Sequence, residues 1–344
     1  MIVDLWENLK NETRPIVLYG MGNGADKILN VCESKGITIS GVFASDGFVK
    51  NKTFRGFKIT DYKTAKETFG NMVVLVCFGS GRDDVLQNIK RISKETALFV
   101  PDVPVYGNTL FDLNFAKENK EKLQTVYNML CDEQSKRVFE NTVLFKISGN
   151  PNYLYEIETE RNETLDISGV KKAESFLDLG AYNGDTAVEF LNYSENAQKI
   201  IAVEPDIRSF NKLCKNTENL KEITAVNCAI SNSETIIHLA DKKGRGTSIG
   251  NVGKEVNCTT VDKLLNGEKI DYIKFDIEGN ELNGIKGAKN AIKEHKPTLC
   301  IAAYHKSEDL FSIPLAVNEI RCDYNLYMRH TKCLPAWDID FIFK

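Results

Sequence analysis

The sequence contains no stretch of about 18 consecutive apolar residues, the length that a membrane-spanning helix requires. Its opening segment, MIVDLWENLKNETRP, includes an early aspartate and no apolar core of signal-peptide length. These two absences predict a cytoplasmic protein with no membrane insertion.

Patterns for metal binding, disulfide bonding and nucleic-acid binding are also absent. The nine cysteines occur singly, without a CxxC pair, which is typical of reduced thiols rather than of a disulfide-linked secreted fold. The four histidines form no HxH or HExxH pair, so a zinc site is not expected. The formal charge of −4 supplies no positive field, which argues against nucleic acid as a partner.

What is present is the composition of a globular protein, because 42% of the residues are hydrophobic and 27% are charged. A length of 344 residues exceeds the usual size of a single core, so two domains are expected. The pattern divides the chain into a small Rossmann-like α/β domain at 1–104, a mainly helical connector at 105–172 and a second α/β domain at 173–344.

The first α/β pattern opens with a strand at Ile16–Tyr19, a turn G-x-G-x-x-A at Gly20–Ala25 and a helix. Asp46 lies just beyond the second predicted strand, as in a dinucleotide-binding fold. The domain resembles the small nucleotide-sugar-binding domains that precede some sugar-modifying enzymes. NAD binding and a scaffold that recruits the acceptor both stay open for this domain.

The second α/β pattern predicts a sheet with an inserted hairpin. Strands are expected near 175–180, 199–205, 223–229, 271–277, 299–304, 325–328 and 339–343, and the hairpin at 235–239 and 256–259. A helix is expected over 281–292. Between the domains, charged residues interrupt apolar ones at helical spacing over 109–147, which predicts a helical connector.

A glycine-rich turn followed by a distant acid predicts a nucleoside site. The segment DLGAYNGDT at 178–186 places Gly180 and Gly184 between a strand and a helix, where a ligand can approach the backbone. Glu204 ends the next predicted strand, where an acid can accept both hydroxyls of a ribose. Asp178 and Asp185 would repel a pyrophosphate but suit a sulfonium and an amino group, which favours S-adenosylmethionine over NAD.

Six blocks in order resemble the FkbM family of methyltransferases: DLGAYNGDT, AVEPD, NCAIS, TTVDKLL, DYIKFDIEGNE and KPTLCIAAYHKSEDLFSIP. The resemblance implies the class I methyltransferase fold, a Rossmann-like α/β fold whose seven-stranded sheet has one antiparallel strand. It also implies S-adenosylmethionine as cofactor, and usually methylation of oxygen. The cofactor-binding residues predicted from the turn and these blocks are Asp178, Gly180, Ala181, Tyr182, Gly184, Asp185, Thr186, Glu204, Pro205, Asn227, Cys228, Ala229 and Asp276.

The pattern D-x-E-G-x-E, with Asp276, Glu278 and Glu281, follows the fourth strand, where acceptor and methyl group meet in this fold. Asp276, Glu278 and His305 are the predicted catalytic residues, and Asp276 or His305 would take the proton of the acceptor hydroxyl. The alternatives are glutamates that stabilise a helix N-terminus and a structural histidine. Neighbouring carboxylates can share a cation, so any metal is expected to be oxygen-ligated Mg²⁺ or Ca²⁺.

Four residues are predicted to bind the acceptor: Lys243, Arg245, Glu281 and Tyr304. The two cations lie in a basic loop that would clamp a phosphate, although a solvated turn is the alternative for such a run. The family resemblance suggests a small-molecule or glycan-precursor acceptor, a sugar of capsule, lipopolysaccharide or nucleotide-sugar type. A homodimer stays open.

Two other functions compete with methyl transfer. One is an NAD-dependent sugar oxidoreductase or epimerase centred on Gly20–Ala25, and the other is a non-catalytic nucleotide-binding module. The intact turn, the ribose acid Glu204 and the strand-end carboxylate Asp276 favour the methyltransferase.

Overall fold

The computed structural model describes residues 2–49, 53–240, 248–250 and 254–344. Within these residues no helix combines the length and the apolar character that crossing a membrane would need.

The N-terminal part forms a six-stranded sheet in which most neighbouring strands are parallel. Its strands are β1 (Ile16–Tyr19), β2 (Gly41–Phe43), β3 (Thr53–Phe54), β4 (Phe57–Thr60), β5 (Val73–Val76) and β6 (Ala97–Phe99), in the order β3-β4-β2-β1-β5-β6. Only β3 is antiparallel to its neighbour in this sheet. Its helices are α1 (Leu5–Lys10), α2 (Asn23–Ser34), α3 (Tyr62–Phe69) and α4 (Asp83–Glu95), and a short 3₁₀ turn covers Asp46–Phe48.

The connecting region is mainly helical, as its apolar spacing predicts. It comprises α5 (Leu113–Glu118), α6 (Lys120–Met129), α7 (Glu133–Ser148), α8 (Asn152–Tyr155), the short strand β7 (Glu158–Thr159), α9 (Arg161–Ile167) and a 3₁₀ turn at Val170–Lys172. Asp132 caps α7 by accepting a hydrogen bond from Ser135 N, and Gly149 ends that helix in the left-handed conformation.

The C-terminal part is built on an eight-stranded sheet in the order β10-β9-β8-β15-β16-β18-β17-β7. Its strands are β7, β8 (Ser175–Leu179), β9 (Lys199–Val203), β10 (Ile223–Val226), β15 (Tyr272–Phe275), β16 (Thr298–Ala302), β17 (Leu326–Thr331) and β18 (Ile339–Phe343). Its helices are α10 (Asp185–Tyr193), α11 (Ile207–Thr217), α12 (Val261–Leu265), α13 (Glu281–Gly287), α14 (Lys289–His295) and α15 (Asp309–Ile320).

A separate four-stranded sheet contains the predicted hairpin. It consists of β11 (Ala229–Ile230), β12 (Thr235–Ala240), β13 (Ser248–Gly250) and β14 (Lys254–Thr259), in the order β11-β14-β12-β13. The pairing of Thr235 with Cys258 fixes the antiparallel register of β12 and β14, which confirms the hairpin.

Three features differ from the predicted fold. The main sheet has eight strands rather than seven, because Glu158–Thr159 of the connecting region pairs in parallel with β17. The predicted helix over 281–292 is two helices that meet at Ala288. The third predicted strand ends at Val226, and Ala229–Ile230 joins the four-stranded sheet. The single antiparallel strand is confirmed, since β18 runs opposite to both neighbours.

The two large sheets share one apolar core and meet at their carboxyl edges. Val17 and Val74 of the first sheet belong to the same buried cluster as Phe145 of the connecting region and Leu177 and Ile273 of the second sheet. At the meeting edges, Ser80 and Leu334 exchange two backbone hydrogen bonds of 2.7 and 3.0 Å. An added Cβ at Gly79 would overlap the ring of Trp337, so the contact between the two edges is close.

Candidate active site

The turn between β8 and α10 is held against two neighbouring strand ends. Gly180 has a φ of +88°, and an added Cβ would overlap the carbonyl oxygen of Asp276. The amides of Gly180 and Ala181 both donate to Val203 O, at 3.0 Å each. Gly184 has a φ of +86°. A Cβ added to Gly184 would lie 2.7 Å from Leu213 Cδ1, so the residue packs closely on Leu213. Both glycines are therefore required by backbone conformation and by close packing.

Glu204 fastens this turn from the end of β9. Its Oε2 accepts a hydrogen bond from Tyr182 N at 2.9 Å, and its Oε1 accepts one from Asp206 N at 2.8 Å. Burial raises the pKa of Glu204 to about 7, and the two backbone hydrogen bonds offset only part of that effect. Each carboxylate oxygen has a second lone pair, so the side chain can also accept hydroxyl groups of a ribose.

Asp178 lies at the end of β8 with no exposed surface. Neither carboxylate oxygen accepts a hydrogen bond, and the nearest cation is Lys274 Nζ, 3.7 Å from Oδ1. Burial raises the pKa of Asp178 to about 6, which Lys274 counteracts in part and Asp276 reinforces. A further cation near this group would stabilise its ionised form.

The remaining predicted cofactor residues surround Glu204 and the turn. Asn227 donates from Nδ2 to the carbonyl oxygens of Glu204 and Pro205, at 2.8 and 3.1 Å. Cys228 is buried and Ala229 begins β11 directly after it. The Tyr182 ring is 37% exposed, with Lys212 Nζ 5.6 Å from its centroid, which leaves an aromatic face at the mouth of the turn.

The first turn of α10 holds the last two predicted cofactor residues. Thr186 N donates to Asp185 Oδ1 at 2.8 Å, and Asp185 itself is exposed. An acid at this helix N-terminus is stabilised by the helix dipole, and its exposure leaves it free to meet a cationic group of a ligand.

Asp276 is the centre of a polar cluster at the ends of β15 and β16. Tyr304 OH donates to its Oδ1 at 3.0 Å, and Lys274 Nζ donates to its Oδ2 at 3.2 Å. His305 Nε2 lies 3.5 Å from the same Oδ1. Burial acts to raise the pKa of Asp276, but Lys274 and then His305 outweigh it, so the pKa is lowered and the carboxylate is ionised. Its side chain is 30% exposed, so a ligand can reach it.

His305 is 1% exposed and lies among three carboxylates. Its Nδ1 is 3.1 Å from Glu281 Oε1, and its Nε2 is 3.8 Å from Glu278 Oε2. Burial opposes the charged form, but Glu281, Asp276 and Glu278 together raise the pKa of His305 to about 10. The imidazolium therefore holds Asp276 in its ionised form, and this geometry favours Asp276 over His305 as the proton acceptor.

The two glutamates of the motif differ in exposure. Glu281 is 1% exposed, and its Oε1 accepts from the amides of Ile277 and Gly279 at 2.9 and 3.2 Å. It organises the turn beneath the site surface, whereas contact with the acceptor was predicted. Glu278 is 37% exposed and has a φ of +55°, so it faces the open side of the cluster.

One group of side chains in the described part of the chain has the spacing of a metal site. Glu281, His305 and Asp309 offer ligand atoms within 4.8 Å of one another, and all three are buried. Burial raises the pKa of Asp309 to about 7, reinforced by Glu281. The histidine departs from the all-oxygen ligand set predicted for Mg²⁺. The cluster is also neutral without a metal ion if His305 is an imidazolium, Glu281 is ionised and Asp309 is protonated.

Two residues of the site, Lys274 and Asp309, are not predicted from the sequence. Lys274 is a single cation inside the apolar strand Tyr272–Phe275, and that interruption is a signal that could have identified it. Asp309 begins α15, and its position in the sequence is typical of an acid that stabilises a helix N-terminus. Lys243 and Arg245, predicted to bind the acceptor, lie outside the described residues.

The N-terminal glycine turn is explained by packing. An added Cβ at Gly20 would lie 2.8 Å from the Phe78 ring, and one at Gly24 would overlap Cys77 O. Tyr62 and Lys66 have the Tyr-x-x-x-Lys spacing of some oxidoreductases, but both side chains contact Glu95. Burial and that contact raise the pKa of Tyr62, opposite to the shift that an acid–base tyrosine needs near neutral pH.

The fold is an α/β fold, and part of the chain also matches a known family of domains in sequence. Residues 178–325 match the family model of the methyltransferase FkbM domain. This region is therefore similar to the methyltransferase FkbM domain, and the match supports S-adenosylmethionine-dependent methyl transfer.

One solved structure is similar in fold over almost the whole chain. Methyltransferase FkbM from Methylobacillus flagellatus KT is 21% identical, with a TM-score of 0.75, over 98% of this chain and 92% of that chain. Precorrin-6y C5,15-methyltransferase from Geobacter metallireducens is 13% identical over 55% of this chain and 86% of that chain, with a TM-score of 0.35. Fibrillarin from Aeropyrum pernix, with bound S-adenosyl-L-methionine, is 12% identical over 53% of this chain and 73% of that chain, also with a TM-score of 0.35. No curated protein matches the chain.

Proposed function

We propose that the protein transfers a methyl group from S-adenosylmethionine to a hydroxyl of a sugar in a glycan precursor. The observation that carries the proposal is the ionised, partly exposed carboxylate of Asp276, which contacts Lys274, Tyr304 and His305. A hydroxyl acceptor must lose its proton as the carbon–oxygen bond forms, and a carboxylate at this position can accept it. The sugar and the cytoplasmic location rest on the family resemblance and the sequence.

The residues of the turn fit the cofactor. Gly180 allows close backbone approach, Glu204 retains lone pairs for a ribose, and Asp178 is a buried carboxylate whose charge is only partly balanced. S-Adenosylmethionine supplies an electrophilic methyl group, and its sulfonium or ammonium group near Asp178 would complete the balance. A dependence on Mg²⁺ stays a separate proposal for the cluster of Glu281, His305 and Asp309.

Around the acceptor, each residue has a distinct task. Asp276 would hold the acceptor hydroxyl and take its proton, while Lys274 and His305 keep the carboxylate ionised until that point. Tyr304, which donates to Oδ1, would keep the carboxylate in one orientation. The remaining rate acceleration would come from binding both substrates in alignment, because the acceptor oxygen must approach the methyl carbon in line with the bond that breaks.

Asp276→Asn tests the proposal. Because the amide cannot accept the proton, we expect methyl transfer from S-adenosylmethionine to a panel of sugar nucleotides to fall by about 10²–10⁴. The affinity for S-adenosylhomocysteine, measured by calorimetric titration, should fall much less than the rate, because Asp178 and Glu204 are unchanged. Asp323→Asn, which removes an exposed carboxylate of an Arg321 ion pair, is the matched control.

Either of two outcomes would contradict the proposal. An unchanged rate in Asp276→Asn would remove this carboxylate from the reaction. Binding of NAD without binding of S-adenosylhomocysteine would move the active site to Gly20–Ala25.

A further inference from the structure

A segment from outside the methyltransferase domain lies across the active site. Residues 104–109, here called the strap, connect the N-terminal sheet to α5. Tyr106 N donates to His305 O at 2.8 Å, and the buried hydroxyl of Ser307 donates to Thr109 O at 2.6 Å. The strap is therefore bonded to the same turn that carries the imidazole of the site.

The other side of the strap is fixed by the N-terminal part. Lys27 Nζ, on α2, donates to the carbonyl oxygens of Pro104 and Val105, at 2.7 Å each. A segment bonded on both sides keeps its side chains in place without secondary structure of its own.

Tyr106 packs directly on the catalytic motif. Gly279 has a φ of +94°, and its would-be Cβ lies 2.8 Å from Tyr106 Cβ and 2.9 Å from Cγ. Gly279 follows Glu278, so the tyrosine side chain lies one residue from an exposed carboxylate of the site. The tyrosine is half-buried, which leaves part of its ring open to a ligand.

Lys306 adds a cation next to this ring. Its Nζ is 5.0 Å from the centroid of Tyr106, and its charge also acts on the buried carboxyl group of Asp309. Lys306 directly follows His305 and is half-buried. The site thus presents carboxylates on one side and an aromatic ring with an adjacent cation on the other.

We propose that Tyr106 and Lys306 form an acceptor-binding platform that selects a sugar bearing an anionic group, a carboxylate or a phosphate. This inference rests on the proposed function. The C–H face of a sugar ring packs on an aromatic face, and a cation beside it attracts an anionic substituent. Asp276 and Glu278 repel an anion, so the anionic group lies towards Lys306 and a hydroxyl towards Asp276. Selection of this kind makes the N-terminal part a determinant of specificity.

Calorimetric titration of the protein saturated with S-adenosylhomocysteine tests the proposal. The probes are D-glucuronate, α-D-glucose 1-phosphate, UDP-glucose and neutral methyl α-D-glucoside. We expect at least one anionic sugar to bind about tenfold more tightly than the neutral glucoside, and Lys306→Met to remove that preference. Tyr106→Leu should weaken the anionic and neutral sugars alike.

Two further variants separate charge from folding. Lys306→Arg retains the cation and should retain the preference. Lys122→Met is the matched control, because Lys122 Nζ also lies 5.0 Å from the centroid of an aromatic ring, that of Phe311. Its preference should equal that of the unmodified protein.

The proposal is overturned if no anionic sugar binds more tightly than the neutral glucoside, or if Lys306→Met keeps the preference. Either result leaves the proposed function intact as long as S-adenosylhomocysteine still binds. Loss of S-adenosylhomocysteine binding in the unmodified protein would instead overturn the proposed function.

Discussion

Lys274 joins the two carboxylates on which the site depends. Its Nζ lies 3.7 Å from Asp178 Oδ1 and 3.2 Å from Asp276 Oδ2, and its side chain is 16% exposed. Burial opposes its charge, but the two aspartates outweigh burial and raise its pKa above the ordinary value. One ammonium group therefore favours the ionised form of both carboxylates, although burial still keeps the pKa of Asp178 raised.

Lys274→Met should shift the acid limb of the pH–rate profile to higher pH. The pKa of Asp276 is below its ordinary value with Lys274 present, so removing that cation raises the pKa. The ionised, active form is then lost at a higher pH as the solution is acidified, by about one pH unit. The measurement is kcat as a function of pH.

Two further variants test whether the shift is caused by loss of the positive charge at Lys274. Lys274→Arg keeps a cation and should restore most of the original limb. Lys263→Met removes an exposed lysine that pairs with Glu234, so its profile should match the unmodified protein. An unshifted limb in Lys274→Met would show that the rate does not depend on Asp276 ionisation.

At the scale of elements, the site is made where the turns after β8 and β15 touch. Gly180→Ala would place a methyl group on the Asp276 carbonyl and hold a side chain at a φ of +88°. We expect a loss of about 3 kcal/mol or more in the free energy of unfolding, with loss of S-adenosylhomocysteine binding. Urea denaturation and calorimetric titration measure the two effects.

Gly267→Ala measures how much of the loss in the free energy of unfolding is caused by backbone conformation alone. Gly267 has a similar φ of +82° but nothing within 4 Å of its would-be Cβ. Its substitution should cost only about 1 kcal/mol and leave binding unchanged. Equal losses in the two variants would mean that the contact with Asp276 has no role.

The elements that the sequence predicts well are those with strong local patterns. The strands Ile16–Tyr19 and Ile339–Phe343 have the predicted limits, because each is a short apolar run with clear end signals. The strand Glu158–Thr159 exists only through its pairing with β17, more than 160 residues later, and no local pattern encodes such a contact.

The same distinction applies to the site. The turn glycines and Glu204 belong to recognisable motifs, so they can be predicted from the sequence. In the structure the turn contacts Glu204 at the end of β9. Tyr106 belongs to no motif, since the role proposed for it depends on its contact with Gly279, far away in the sequence. The burial of Glu281 was also not readable, because exposure depends on what packs above a residue.

At the scale of the whole molecule, the two carboxyl edges meet around the site and one apolar core runs through both sheets. Lys146 of α7 and Asp102, which follows β6, form a buried ion pair of 2.8 Å in the same region. Breaking such a pair is costly because it leaves a buried charge. The division into parts at 1–104, 105–172 and 173–344 stays a prediction, and a shared core implies that these parts unfold together.

Gly79→Leu should uncouple the two sheets. The added side chain would overlap the Trp337 ring, so the edges must separate or the chain must rearrange. We expect one calorimetric transition for the unmodified protein, and for the variant either a lower Tm or two transitions, with weaker binding of S-adenosylhomocysteine. Gly47→Leu is the control, because nothing lies within 4 Å of its would-be Cβ and its φ is also ordinary. Two transitions in the unmodified protein would contradict a shared core and favour independent domains.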